Sequence, residues 1–197
     1  MTESEYFTVR HRMTINVEML PPEFSLPSED AFEAQIPTPF RVANEFCQLD
    51  QMAENARSEL KQSDFTHVIG LLDAQNAKLN LLLSFMLAQQ DDESLRFFTT
   101  DFGASEVRYL SPVSQDIGQL ARVKLFIDHP AAAIFCYAEV IRCETVSDAQ
   151  TETGETQYRI TLRYQMLRDI DQDLLIKAAL YQQQKLLRQR SLERERK

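Results

Sequence analysis

Tryptophan is absent and glycine occurs only four times in 197 residues. So few glycines leave little room for a phosphate-cradling loop, and no Gly-x-Ser-x-Gly, Walker or dinucleotide motif occurs. Cysteine is scarce as well. Cys47, Cys136 and Cys143 show no CxxC spacing, and an odd number of thiols suits reduced, packed cysteines in a reducing compartment. Cys136 and Cys143 stand seven apart in one β-patterned run, so a regular strand would face them to opposite sides. His11, His67 and His129 form no ligand pattern with the cysteines. No run reaches the roughly 18 uninterrupted apolar residues that a membrane span requires. The start, Met1-Thr2-Glu3-Ser4-Glu5, is acidic with no apolar run behind it, so a cytoplasmic location is expected.

The net charge of −9 argues against general nucleic-acid binding. It is spread unevenly: residues 1–64 carry 12 acidic and 5 basic side chains, whereas residues 184–197 carry six basic and two acidic. That basic end is read as a solvated helix end or a partner contact. Asp169, Asp171 and Asp173 match the electropositive first turn of a helix. No catalytic constellation emerges, so a non-enzymatic protein without a cofactor is expected.

What is present is a clear ordering of periodicities. Tyr6–Met19 alternates, with Phe7, Val9, Met13, Ile15, Val17 and Met19 on one face together with His11; the pattern predicts a strand with one buried face. A core histidine suits His11 better than a metal ligand does. Leu20–Pro39 holds five of the seven prolines and predicts a loop with at most a short helix around Glu29–Gln35, pinned by Phe24, Phe32 and Phe40. Helix is expected from about Asn44, broken near Ser63-Asp64, with Asp64 capping a second helix.

In that second helix Phe65, Leu72, Leu79 and Met86 recur every seven residues, with Val68 and Leu82 at the complementary positions and Ile69 and Leu83 widening the stripe. This is a coiled-coil-like seam. Leu79–Leu87 is apolar almost all round, more than a surface helix of a monomer needs. The helix either packs on its own body or meets a copy of itself. Self-association is expected, as a dimer or tetramer, through Phe65, Leu72, Leu79, Leu82, Leu83 and Met86, with Gln75 and Asn76 setting the register or simply exposed.

Strands are expected next at Leu95–Thr100, Glu106–Leu110, Ala121–Asp128, Ala133–Glu144 and Gln157–Leu167, with a hairpin loop at Ser147–Glu155. A helix over Ile170–Gln184 closes the series, capped by Asp169 and Gln172. The chain divides into an N-terminal strand and Pro-rich loop (1–42), a helical insertion (43–92), a β-rich region with its closing helix (93–185) and a charged tail (186–197).

The succession Leu95–Leu110, Gly118–Ile127, Tyr137-Ala138-Glu139-Val140-Ile141-Arg142 and Tyr164–Leu167 running into Asp169–Leu180 resembles the PilZ domain, and the helical segment is similar to its atypical, helix-inserted subgroup. The resemblance implies an α+β fold, a small antiparallel six-stranded β-barrel with a long helical insertion and a C-terminal capping helix. It also implies second-messenger signalling, with cyclic di-GMP as ligand or with only assembly and contacts to an unknown protein partner retained. A purely structural oligomerisation module is the alternative. Typical members grip the ligand with Arg-x-x-x-Arg and Asp/Asn-x-Ser-x-x-Gly, guanidinium forks and a close-approaching backbone acting together. Here Asp101-Phe102-Gly103-Ala104-Ser105-Glu106 keeps Asp101, places Gly103 at the serine position and Glu106 at the glycine position, and carries Ser105 two residues late. Arg10 and Arg12 stand two apart, on one strand face at about 7 Å. The candidate ligand residues are therefore Arg10, Arg12, Asp101 and Ser105, with ordinary strand and turn roles as the alternative.

Overall fold

The computed structural model describes residues 8–60, 66–128, 131–146 and 156–195. Strands β1 (Thr8–Arg10) and β2 (Thr14–Met19) precede helices α1 (Glu29–Gln35), α2 (Thr38–Leu60) and α3 (Thr66–Ala88). Then come strands β3 (Arg96–Gly103), β4 (Glu106–Ser111), β5 (Leu120–Ile127), β6 (Ala132–Val146) and β7 (Gln157–Met166), and last helix α4 (Asp169–Glu195). Every pairing is antiparallel. The ring runs β2–β5–β6–β7–β4–β3 and back to β2, with β1 on the far end of β3. Because β1 and β2 are two parts of one edge, this is a closed six-stranded barrel, and closure leaves no edge for unwanted pairing. Tyr6, Phe7, Asp64, Phe65, His129 and the loop at Ser147–Glu155 lie outside the described residues.

The strand expected over Tyr6–Met19 is interrupted. Arg10 faces Asp101 and Thr14 faces Phe98, so four residues advance on one side against three on the other. The extra residue makes a bulge at His11–Met13. Buried Thr99 holds it: its Oγ1 donates to the His11 carbonyl at 2.7 Å and accepts from the Met13 N–H at 2.9 Å. His11 thus sits in the bulge, half-buried with its ring tilted against Phe102, rather than in the core.

Strand β6 explains the long apolar run after residue 130. Ala132, Ile134, Cys136, Ala138 and Val140 fill the barrel, while Ala133, Phe135 and Tyr137 pack outward beneath the helices; a strand buried on both faces loses its alternation. Between Val140 and Arg142, β6 advances two residues against the single step from Leu162 to Thr161 on β7, and this bulge changes which side faces in. Cys143 consequently packs against the same core as Cys136 instead of facing away from it, and both remain free thiols.

The Pro-rich segment is ordered by its phenylalanines. Phe24 stacks on Tyr137 and Phe32 on Phe135, while Phe40 meets Phe126 edge-on. Helix α2 begins at Thr38, six residues earlier than expected, because Pro39 falls in a first turn where no N–H is required. Helix α4 starts from the Arg168 carbonyl, which accepts from the Asp171 and Gln172 N–H groups at 3.0 Å. Gln172 does not cap the helix reciprocally; its side chain reaches the Ala104 carbonyl. The helix also continues through the basic segment to Glu195, whose Leu, Gln, Arg and Glu residues are good helix formers.

Candidate functional site

The stretch Asp101–Glu106 is strand and tight turn. Gly103 ends β3, Glu106 starts β4, and Ala104-Ser105 is the entire connection. The turn is fixed from outside: the Ser105 carbonyl accepts from the Tyr164 N–H at 3.0 Å and the Ala104 carbonyl from Gln172 at 3.3 Å. The Ser105 hydroxyl is buried without a hydrogen-bond partner among the described residues, so it is turned away from solvent. Glu106 is engaged by Arg108 at 2.6 Å.

Arg10 and Arg12 have a different environment. Both line an open groove of about 640 Å³ beside the bulge, together with Arg96 and Phe98. The Arg12 guanidinium lies 3.9 Å over the exposed Phe98 ring, a cation–π contact. Arg10 is almost fully solvated, and its Nε stands 3.9 Å from the Asp101 carboxylate, a spacing and exposure that hold it only weakly. Arg96 is committed elsewhere, donating to Asp91 at 2.7 Å. The fold therefore brings together Arg10, Arg12 and Asp101 and leaves Ser105 under the turn. Chemically the groove can take an anion on two guanidinium groups with an aromatic face beside them. Phe98 was legible: in Phe97-Phe98 one ring must face outward from a strand.

His11 lines the same groove, and burial holds its pKa below the ordinary value, with Asp128 opposing and Lys185 reinforcing the shift. Protonation is thus disfavoured in the folded state. The stability that neutral His11 contributes is expected to be complete above its ordinary pKa of about 6.5 and to fall as pH drops through it. A His11→Phe variant should flatten the pH dependence of the urea midpoint in that range.

The second candidate surface is α3. Leu83 and Leu87 are buried against Phe135 and its neighbours, so Leu83 serves the protein's own core. Much of the rest of the helix is open: Leu81, Leu82 and Phe85 are 72%, 62% and 65% exposed, and Val68, Leu71, Leu72, Leu79 and Met86 are exposed as well. At 100° per residue, Val68, Leu72, Leu79, Leu82 and Met86 form one continuous stripe. Polar Gln75 is exposed within it.

No protein-family model matches the chain, and no curated protein matches it. Solved structures do. One is a pathogenic protein from Xanthomonas campestris, a tetrameric PilZ domain self-assembled via a helical bundle; it is 18% identical, with 93% of this chain and 92% of that one covered at a TM-score of 0.53. The PilZ domain of YcgR from Escherichia coli with c-di-GMP is 13% identical over 49% of this chain and 76% of that one, at a TM-score of 0.40. The Bacillus subtilis inhibitor of motility MotI/DgrA is 19% identical over 46% and 42%, at 0.39. The closed barrel, the inserted helices between β2 and β3 and the closing helix make the fold that of an atypical PilZ-like protein.

Proposed function

We propose that this chain is a non-enzymatic PilZ-type signalling module of the cytoplasm that works by assembling with copies of itself through α3 and presenting its barrel to a protein partner. The observation that carries this reading is the exposed apolar face of α3. The occupant is a second copy, because Leu72, Leu79 and Met86 recur every seven residues with Val68 and Leu82 between them, the self-complementary pattern of a helix that packs against its own kind. The Xanthomonas protein of similar fold assembles through a helical bundle. Burial pushes the Cys136 thiol and the Tyr109 and Tyr164 phenols far up, keeping all three protonated inside the barrel. Cys136 should accordingly resist iodoacetamide in the folded protein and react only on unfolding, as read by mass spectrometry.

A receptor reading is favoured by one observation, the groove that joins Arg10 and Arg12 to the face of Phe98. A cyclic dinucleotide offers phosphates to the guanidinium groups and purine rings to the aromatic face. Against it, Gly103 stands at the serine position and Glu106, engaged by Arg108, at the glycine position, while the displaced Ser105 hydroxyl is buried. Isothermal titration with cyclic di-GMP decides between them. Heat that disappears in Arg10→Ala/Arg12→Ala supports a receptor; no heat at high ligand concentration leaves assembly and partner contact as the function.

A further inference from the structure

A second groove, of about 600 Å³, shares no lining residue with the first. Its floor is the outer surface of β2, β5 and β6. Asn16 faces Lys124, which faces Phe135; two residues along, Glu18 faces Arg122, which faces Tyr137. Residues two apart share a strand face, so these are two parallel rungs of polar acceptor, cation and aromatic ring.

The rungs differ in how far they are committed. Asn16 is fully engaged, since its amide donates to Asp91 at 2.7 Å and to the Asp92 carbonyl and accepts from the Asp92 N–H. Asp92 itself is turned onto Ser94. Lys124 has three donors and gives one to the Gln90 carbonyl at 3.2 Å. Arg122 gives Nη1 to Glu18 at 3.0 Å, and its Nε is buried with no acceptor among the described residues. The Tyr137 phenol donates to Gln35, and its ring lies under Phe24 with the Arg122 guanidinium 6.0 Å above. Two cations thus stand beside aromatic rings with donors to spare, and the nearby Glu18 carboxylate answers Arg122 through Nη1 alone.

We propose that this groove is a binding site for a small planar aromatic acid. Its carboxylate would engage Lys124 and the unused Nε edge of Arg122, since a guanidinium edge takes a carboxylate in two parallel hydrogen bonds. A small rotation of Arg122 toward the groove gives Nε the acceptor it lacks. The ring lies against part-exposed Phe24, which itself covers the wholly buried Tyr137, in the offset or edge-on packing that aromatic pairs prefer.

Saturation-transfer NMR with salicylate as the probe tests this on the full chain, and it tolerates any assembly size. Saturable transfer to the ring protons is expected. Lys124→Gln and Arg122→Gln should each weaken it about ten-fold or more, the effect of losing one charge-assisted hydrogen bond, while Arg10→Ala/Arg12→Ala leaves it unchanged. Both groove substitutions are at solvent-reached positions, and an unaltered thermal melt would establish that they fold. Cyclohexanecarboxylate should compete poorly. Absence of saturable transfer, transfer indifferent to both groove substitutions, or equal competition by cyclohexanecarboxylate would each overturn the assignment.

Discussion

Replacing both Leu79 and Leu82 by glutamate is expected to leave a folded monomer in place of the proposed assembly. Both side chains lie on the open stripe of α3, so the substitutions remove nothing from the protomer's core. At a helix–helix seam they do the reverse. Each leucine contributes about 1.5–3 kcal/mol when fully buried, and a carboxylate left unpaired in its place adds a desolvation penalty of several kcal/mol. Light scattering on the variant should give the mass of one chain, 22.8 kDa, with an unchanged thermal melt of the barrel. Leu83→Glu makes the contrast: Leu83 is buried with Leu87 against Phe135, so this substitution should lower the melting temperature of the protomer itself. If Leu79→Glu/Leu82→Glu left the mass unchanged, α3 would not be the seam.

The second large effect is at the root of α4. Asp171 is wholly buried. It accepts from Asn44 of α2 at 2.7 Å and from Arg168 at 2.8 and 3.0 Å, and Arg168 also stands 4.0 Å from Glu33 of α1. One carboxylate therefore joins the closing helix to the inserted helices. Asp171→Ala leaves a nearly buried guanidinium and a buried amide without their acceptor, which costs about 3–5 kcal/mol. Spread over a chain of this size, that is a fall of roughly 10 °C in melting temperature. Asp171→Asn keeps one acceptor oxygen and should lose less. A urea denaturation series reads both, and an unshifted midpoint for Asp171→Ala would mean that the network contributes nothing net.

Much of this architecture was legible because the barrel strands obey one rule. Strand β5 alternates along its length, β7 does so until its register shift sends Met166 to the outer cluster, and the short helix expected at Glu29–Gln35 is α1. The features that no local pattern reveals depend on pairing between distant residues. The bulge at His11–Met13 exists because β3 advances three residues against four, which no single segment encodes. The bulge between Val140 and Arg142 that turns Cys143 inward has the same origin in the β6–β7 register. Helix α2 starts ahead of its apolar pattern because Pro39, a breaker elsewhere, occupies the one turn that accepts proline. The basic segment looks like a tail by charge, although nothing in it stops a helix. At the candidate site, Arg10 and Arg12 are recognisable as a same-face pair and do share a groove. Ser105 is not readable in this way, because the turn that carries it is held by Tyr164 and Gln172, far along the chain.

Function in this reading rests on α3 having a partner, and the sedimentation equilibrium of the unaltered chain tests that most directly. A mass of two or more chains that persists on dilution into the low micromolar range is the expected result. A mass of 22.8 kDa at every concentration would contradict assembly through α3 and leave its apolar face without an occupant of its own kind.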